Sequence, residues 1–112
     1  MARALATKVS ELTSTLNLSQ EEMGLIVGAT SRSVARWVSG EAMPQRLSKQ
    51  RIIELAYVAE ALGEVIKGED ANLWMFSPNK MLNHDTPAER IQSGDYRSVL
   101  AVIEALADGV VV

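Results

Sequence analysis

The strongest constraint on this chain is where its helix-starting and helix-stopping residues fall between positions 18 and 44. Ser19 precedes an apolar stretch and is followed three residues later by Glu22, the reciprocal arrangement of a capping box. The helix it opens carries Met23, Ile26 and Val27 at spacings of three and four, one buried stripe. Gly28 suits a tight exit, because only glycine enters left-handed backbone space without a Cβ penalty. Thr30 and Ser31 both qualify as N-caps of a second helix. That helix is expected to bury Val34, Trp37 and Val38 and to stop at Gly40, with Pro44 blocking any extension. The segment therefore reads as two short helices joined by a glycine turn, a helix-turn-helix.

The face left over presents Arg32, Ser33 and Arg36, and Gln20 at the start of the first helix lies towards the same backbone. In a helix-turn-helix the N-terminal residues of the second helix enter the major groove, where arginine reads guanine or clamps a phosphate and serine does either weakly. Two helices on a glycine turn also occur in proteins that never touch DNA, so periodicity alone leaves both readings open. Charge adds an independent sign. The chain as a whole is acidic, 11 Lys+Arg against 14 Asp+Glu, which argues against a general nucleic-acid coat. Yet Arg32, Arg36, Arg46, Lys49 and Arg51 face a single acid, Glu41, between residues 32 and 51, whereas residues 54–112 are strongly acidic. A basic strip on an acidic body fits a phosphate-contacting face, with a solvated helix surface as the alternative.

An all-α fold follows from the punctuation: every start and stop signal is helical, and β-branched residues are scattered rather than alternating. With 112 residues and 47% hydrophobic content, the chain should fold as one compact unit or two very small ones. Zero cysteines exclude disulfides and thiolate metal sites and fit a reducing, cytoplasmic setting. No apolar run approaches the roughly 20 residues of a membrane span, and the N-terminus lacks the apolar core of a signal peptide.

After Pro44 an amphipathic stretch runs from about Ser48 to Ile66, with Ile52, Leu55, Ala56, Ala59, Leu62 and Ile66 in one stripe that Ile53, Val58 and Val65 widen. Such a helix either packs the two halves together or forms a dimer seam, and packing within the chain is the default. Glu69–Phe76 reads as a short helix with Glu69 and Asp70 favourable in its first turn. Ser77-Pro78 reads as a further helix start, and Thr86-Pro87-Ala88-Glu89 combines an N-cap, a first-position proline and a capping-box glutamate. Gly94 breaks that helix, Asp95 caps the last one, and Val99, Val102, Ile103 and Leu106 share one face before Gly109 stops it. Trp74, Met75 and Phe76 are adjacent, so they cannot all face one side of a helix; they either divide between core and surface or all fold into a small core. His84 is the only histidine and stands beside Asp85 in a turn-like stretch; with no metal, nucleotide-binding or cysteine-nucleophile pattern, no catalytic site is expected.

Gln20-Glu21-Glu22, Gly28, Ser31, Arg36-Trp37, Ser39-Gly40 and Pro44 resemble the Xre-type (Cro/C1-like) helix-turn-helix, whose groove-facing positions correspond here to Gln20, Ser31, Arg32, Ser33 and Arg36. The run Trp74-Met75-Phe76-Ser77-Pro78-Asn79, Leu82, Thr86-Pro87, the Gly94 break, Val99-Leu100, Ile103 and Asp108-Gly109-Val110 resembles the toxin-binding domain of Xre/MbcA/ParS-type antitoxins. Arg32–Trp37, Pro44–Arg46, Ile53–Val58 and Trp74–Asn79 are most similar to its MbcA-like branch. The resemblance implies a helix-turn-helix region over 1–46, a connecting helix over 47–68 and a toxin-binding domain with a C-terminal tail over 69–112. It implies a RES-domain toxin that degrades NAD as partner, neutralised by occlusion of its active site, along with promoter DNA and a homodimer within a hetero-oligomeric complex. It implies no cofactor and no membrane. The toxin-facing residues it singles out are Trp74, Phe76, Pro78, Asn79, Ile103, Leu106, Gly109, Val110, Val111 and Val112. Departing from the family, the tail is short and wholly aliphatic. The competing reading is a free-standing helix-turn-helix regulator whose C-terminal half dimerises.

Overall fold

The computed structural model describes residues 2–109, and its regular structure is helical throughout those residues. The N-terminal half holds α1 (Ala2–Thr15), α2 (Gln20–Val27) and α3 (Ser31–Ser39). A long α4 (Arg46–Gly63) leads to α5 (Glu69–Met75), a single 3-10 turn at Lys80–Leu82, α6 (Pro87–Gln92) and α7 (Tyr96–Ala107). The expected capping chemistry is present. Ser19 and Glu22 cap each other's backbone at 3.0 and 2.9 Å, and Thr86 and Glu89 do so at 3.0 and 2.8 Å. Thr30 caps α3 and Asp95 caps α7. Gly28 ends α2 at φ 77° and Gly40 ends α3 at φ 83°.

Helix α1 was not anticipated from the sequence. It opens without the acidic first turn that marks α2, α5 and α6. Its trace lay instead in Leu5, Val9, Leu12 and Leu16, spaced four, three and four apart; Val9, Leu12 and Leu16 are buried and Leu5 packs against the same core. A second difference follows Trp74. The Ser77-Pro78 pair starts no α-helix; Asn79 caps the 3-10 turn instead, its side-chain oxygen accepting from Met81 N–H at 3.0 Å. Leu82 is the buried residue of that turn, and Asn83 and His84 then adopt left-handed backbone that a continuing helix would not allow.

Helix α4 is the seat of the molecule. Its Ile52, Leu55, Val58, Ala59 and Leu62 are buried, and it lies against α1, α2, α6 and α7. One continuous core runs from Val9 to Ile103 through both halves. Two polar clasps add direction to this apolar packing. Arg51 on α4 meets Glu54 at 3.1 Å and donates to the Gln92 carbonyl at 3.3 Å, both side chains being mostly buried. The Asn72 amide on α5 donates to the Asn17 carbonyl at 2.8 Å and to the Glu22 carboxylate at 3.1 Å, tying α5 to the corner between α1 and α2. Ile53 and Tyr57 of the long helix remain exposed, as does Val65, which lies beyond the helix end at Gly63 rather than within it.

Candidate functional site

Two surfaces carry the candidate residues, one in each half. The first is built on α3. Val34 and Trp37 sink into the core, and that anchoring leaves Ser31, Arg32 and Arg36 exposed on the outside, with Arg32 and Arg36 one helical turn apart. Gln20 is exposed at the first position of α2. Ser33 is half-buried, and its hydroxyl accepts from the Thr30 hydroxyl at 3.1 Å, so it supports the start of α3 as much as it faces outward. Ser33, Arg36, Met43 and Gln45 line one concavity of about 400 Å³ between α3 and the start of α4. Arg36 also lies 3.9 Å from Glu41, an exposed pair that competes only weakly for its guanidinium. The basic strip is smaller than its sequence count. Arg51 is turned into the clasp with Glu54 and is not free for a ligand, whereas Arg46 and Lys49 are exposed.

The second surface lies where α5 runs into the 3-10 turn. Met75 points into the core at 0% exposure, while Trp74 and Phe76 on either side are half-buried. Positions two apart on a helix diverge by about 200°, so these two rings serve different concavities. Trp74 joins Leu73, Pro78, Asn79, Lys80 and Met81 around a groove of about 650 Å³. Phe76 lines another of about 370 Å³ with Leu25, Ala88 and Gln92, between α2 and α6. Leu73, Met81 and Leu25 are 66%, 50% and 56% exposed, more apolar surface than solvent alone favours, and none was singled out in the sequence. Helical periodicity could have found Leu73. It lies two residues from both Ala71 and Met75, the buried side of α5.

Of the remaining candidates, Pro78 is exposed and Leu106 half-buried. Asn79, 8% exposed, is engaged by its own loop: its carbonyl accepts from Leu82 and His84, and its N–H donates to the Asp85 carbonyl. Ile103 is 2% exposed and belongs to the core, where it shapes the surface from beneath rather than offering contact area. Gly109 is exposed at φ 84°, its N–H donating to the Leu106 carbonyl at 3.1 Å. Val110, Val111 and Val112 lie outside the described residues.

Arg90 holds the loop next to the groove. Its guanidinium reaches Asp85 at 2.8 Å, Asp95 at 2.9 Å and the Leu82 carbonyl at 2.8 Å, joining the 3-10 turn to the corner between α6 and α7. Those carboxylates, Asp85 foremost, raise its already high pKa, so it stays charged. The Asp95 carboxyl is held below its ordinary range, chiefly by hydrogen bonding from the Ser98 side chain, with Arg90 adding and partial burial opposing. His84 is exposed and serves the turn through its N–H bond to Asn79. Among the described residues no group of His, Asp and Glu is gathered to hold a metal, and no helix is long and apolar enough to cross a membrane.

A helical chain with a capped two-helix unit at one end and an apolar groove at the other has known counterparts. Residues 61–109 match the model of the antitoxin Xre/MbcA/ParS C-terminal toxin-binding domain. The chain is 56% identical over 108 residues, 96% of each protein, to the mycobacterial cidal antitoxin MbcA of Mycobacterium tuberculosis and to that of Mycobacterium bovis. A more distant relative, a probable mycobacterial cidal antitoxin of Mycobacterium tuberculosis, is 22% identical over 107 residues, 93% of this chain and 91% of that protein. The fold is also similar to a chain in the crystal structure of the Mycobacterium tuberculosis MbcT–MbcA toxin–antitoxin complex, with a TM-score of 0.86, 56% identity and coverage of 96% of this chain and 97% of that one. The chain belongs to the Xre/MbcA/ParS family of antitoxins.

Proposed function

We propose that this antitoxin binds and neutralises a RES-domain toxin that degrades NAD, by covering the toxin's active site, and that it also binds its own promoter DNA. The observation that carries the first part is the groove around Trp74. It is apolar and open, it is edged by Leu73 and Met81, and it lies within the segment matched by the toxin-binding model. A half-buried tryptophan flanked by exposed leucine and methionine around a ready-made concavity is the composition of an interface anchor. Such a groove is held before binding by the Arg90 and Asn79 networks, so little ordering cost is incurred on association.

Within this reading, Trp74, Phe76 and Pro78 supply affinity, and the segment from Gly109 to Val112 closes the toxin's entrance. Burying three valines contributes several kcal/mol, at ~25 cal/mol per Å² before ordering costs. The test is co-expression with a RES-domain toxin, followed by purification and an NAD-consumption assay. Deleting Val110–Val112 should restore NAD loss while the complex still purifies, and Leu73→Ala with Trp74→Ala should loosen the complex itself. Full inhibition by a folded, tail-less chain would refute the plug, and an undiminished complex with both groove changes would refute the groove.

The DNA part rests on exposed Arg32 and Arg36 at the start of α3, beside Arg46 and Lys49. In an acidic protein this basic face favours a dimer or a toxin-bound assembly as the DNA-binding form, because two faces are then presented together. The free-standing regulator is the competing reading, and no particular observation favours it over the antitoxin.

A further inference from the structure

Once α4 has packed into the chain, it keeps a second, unpartnered stripe. Arg46, Lys49, Ile53, Tyr57, Glu60 and Glu64 are all exposed. At ~100° per residue they fall within an arc of roughly 80° along one side of the helix. Their order is not random: two bases, two apolar residues, two acids. Among the described residues none of these four charges is paired within the chain. Ile53 and Tyr57 are 50% and 57% exposed.

We infer that this stripe is the seam of a homodimer in which two α4 helices lie antiparallel about a two-fold axis near residue 55. Reversing one copy places Arg46 beside the partner's Glu64, Lys49 beside the partner's Glu60, and Ile53 against the partner's Tyr57. A two-fold contact must be self-complementary, and a stripe whose charge changes sign about an apolar centre meets that condition with no other occupant required. A parallel pairing of the same stripe sets like charges opposite one another at both of its ends.

The apolar centre is prepared for contact. Tyr57 stacks on Tyr96 of α7, ring centroids 6.3 Å apart and planes at 22°, and Arg97 lies 5.6 Å from the Tyr96 ring centre. That stack restrains the Tyr57 ring before association, which lowers the ordering cost. Beside it, a groove of about 500 Å³ between α1 and α4, edged by Leu5, Ala56 and Tyr57, extends the contact beyond a single helix. Aromatic anchors supply the affinity in such a contact, while exposed charges choose register and orientation.

This inference rests on the dimer that the proposed DNA binding favours and gives that dimer a face. It is tested on the full chain, without toxin or DNA, by sedimentation equilibrium and light scattering. The wild type should be dimeric at micromolar concentration. Ile53→Ala and Tyr57→Ala should each raise the dissociation constant tenfold or more, with circular dichroism unchanged. Arg46→Glu with Lys49→Glu should also weaken the dimer, as should Glu60→Lys with Glu64→Lys, and all four changes together should restore it.

A dimer indifferent to these changes would overturn the face while leaving the homodimer reading intact. A mixture of the wild type with the Arg46→Glu, Lys49→Glu variant that associates more tightly than either chain alone would establish a parallel contact and overturn the antiparallel one. A monomeric wild type would overturn both the face and the homodimer. If such a monomer lost toxin capture on Tyr57→Ala, the stripe would belong to the toxin.

Discussion

Gly24 sits in the middle of α2, where glycine is the wrong choice on helix propensity, and the structure gives the reason. A Cβ built on Gly24 would stand 2.4 Å from the Ala29 carbonyl oxygen and 3.2 Å from its carbonyl carbon. Ordinary C–H···O contacts lie at ~3.3 Å or beyond, so the chain after α2 would have to retreat by nearly ~1 Å. The obstacle is backbone and has no rotamer to escape into. Retreat would also strain the two bonds that form the turn, Gly28 N–H and Ala29 N–H to the Gly24 carbonyl at 2.8 and 2.9 Å. Overpacking of this kind costs ~1–3 kcal/mol, and weakening two turn hydrogen bonds adds about 1 kcal/mol. Replacing a mid-helix glycine returns up to ~1 kcal/mol. Gly24→Ala should therefore destabilise by about 2 kcal/mol, a fall in Tm of roughly 8 °C for a domain of this size. Gly63, the last residue of α4, is the internal control, because nothing lies within 4 Å of its built Cβ. Gly63→Ala should be neutral or stabilising by about 0.5 kcal/mol. Thermal unfolding followed by far-ultraviolet circular dichroism decides the matter. A Tm for Gly24→Ala at or above that of the wild type would refute the reasoning, since the close approach would then be too soft to matter.

Acid stability should respond to Asp95, whose folded pKa lies below its unfolded value. Its stabilising contribution is complete above about pH 4 and is lost as pH falls through the folded value, so the gap between wild type and Asp95→Asn in denaturant melts should close only in that acid range. Arg51→Ala should cost about 2 kcal/mol, because it leaves the mostly buried Glu54 carboxylate with the Gln50 amide at 3.2 Å as its remaining partner, and the loss is measurable as a lower urea midpoint. Arg36→Ala should weaken promoter binding by ~1–3 kcal/mol if it reads a base, or weaken all sequences alike and flatten the salt dependence if it touches phosphate. Undiminished binding by an Arg32→Ala and Arg36→Ala double variant, measured by fluorescence anisotropy, would remove α3 as the recognition helix.

The sequence by itself determined the helical class and most helix ends. Capping is local chemistry: Ser19 with Glu22, Thr86 with Glu89, Gly28 and Gly40 act within three or four residues and read the same in any tertiary setting. Buried stripes were legible for the same reason, down to Val34 and Trp37 on α3 and Val99 and Val102 on α7. What stayed hidden was decided by contacts distant in the chain. Helix α1 has apolar spacing but no acidic first turn to announce it, and only the α3 and α4 surfaces it covers make it a helix worth forming. Ser77-Pro78 offered a plausible start, yet the loop closes around Asn79 and the Arg90 guanidinium eight residues from Leu82, a network no window of sequence displays. Charge was the least transferable quantity. Arg51 and Arg46 look alike in the basic strip, and only the approach of Glu54 and the Gln92 carbonyl turns one inward while the other remains in solvent. Likewise, Trp74 and Phe76 are only two residues apart in sequence, but helical twist and the position of α6 send them to separate concavities. Short-range backbone chemistry is written residue by residue, whereas the side of a helix that stays open depends on which other helices arrive to cover it.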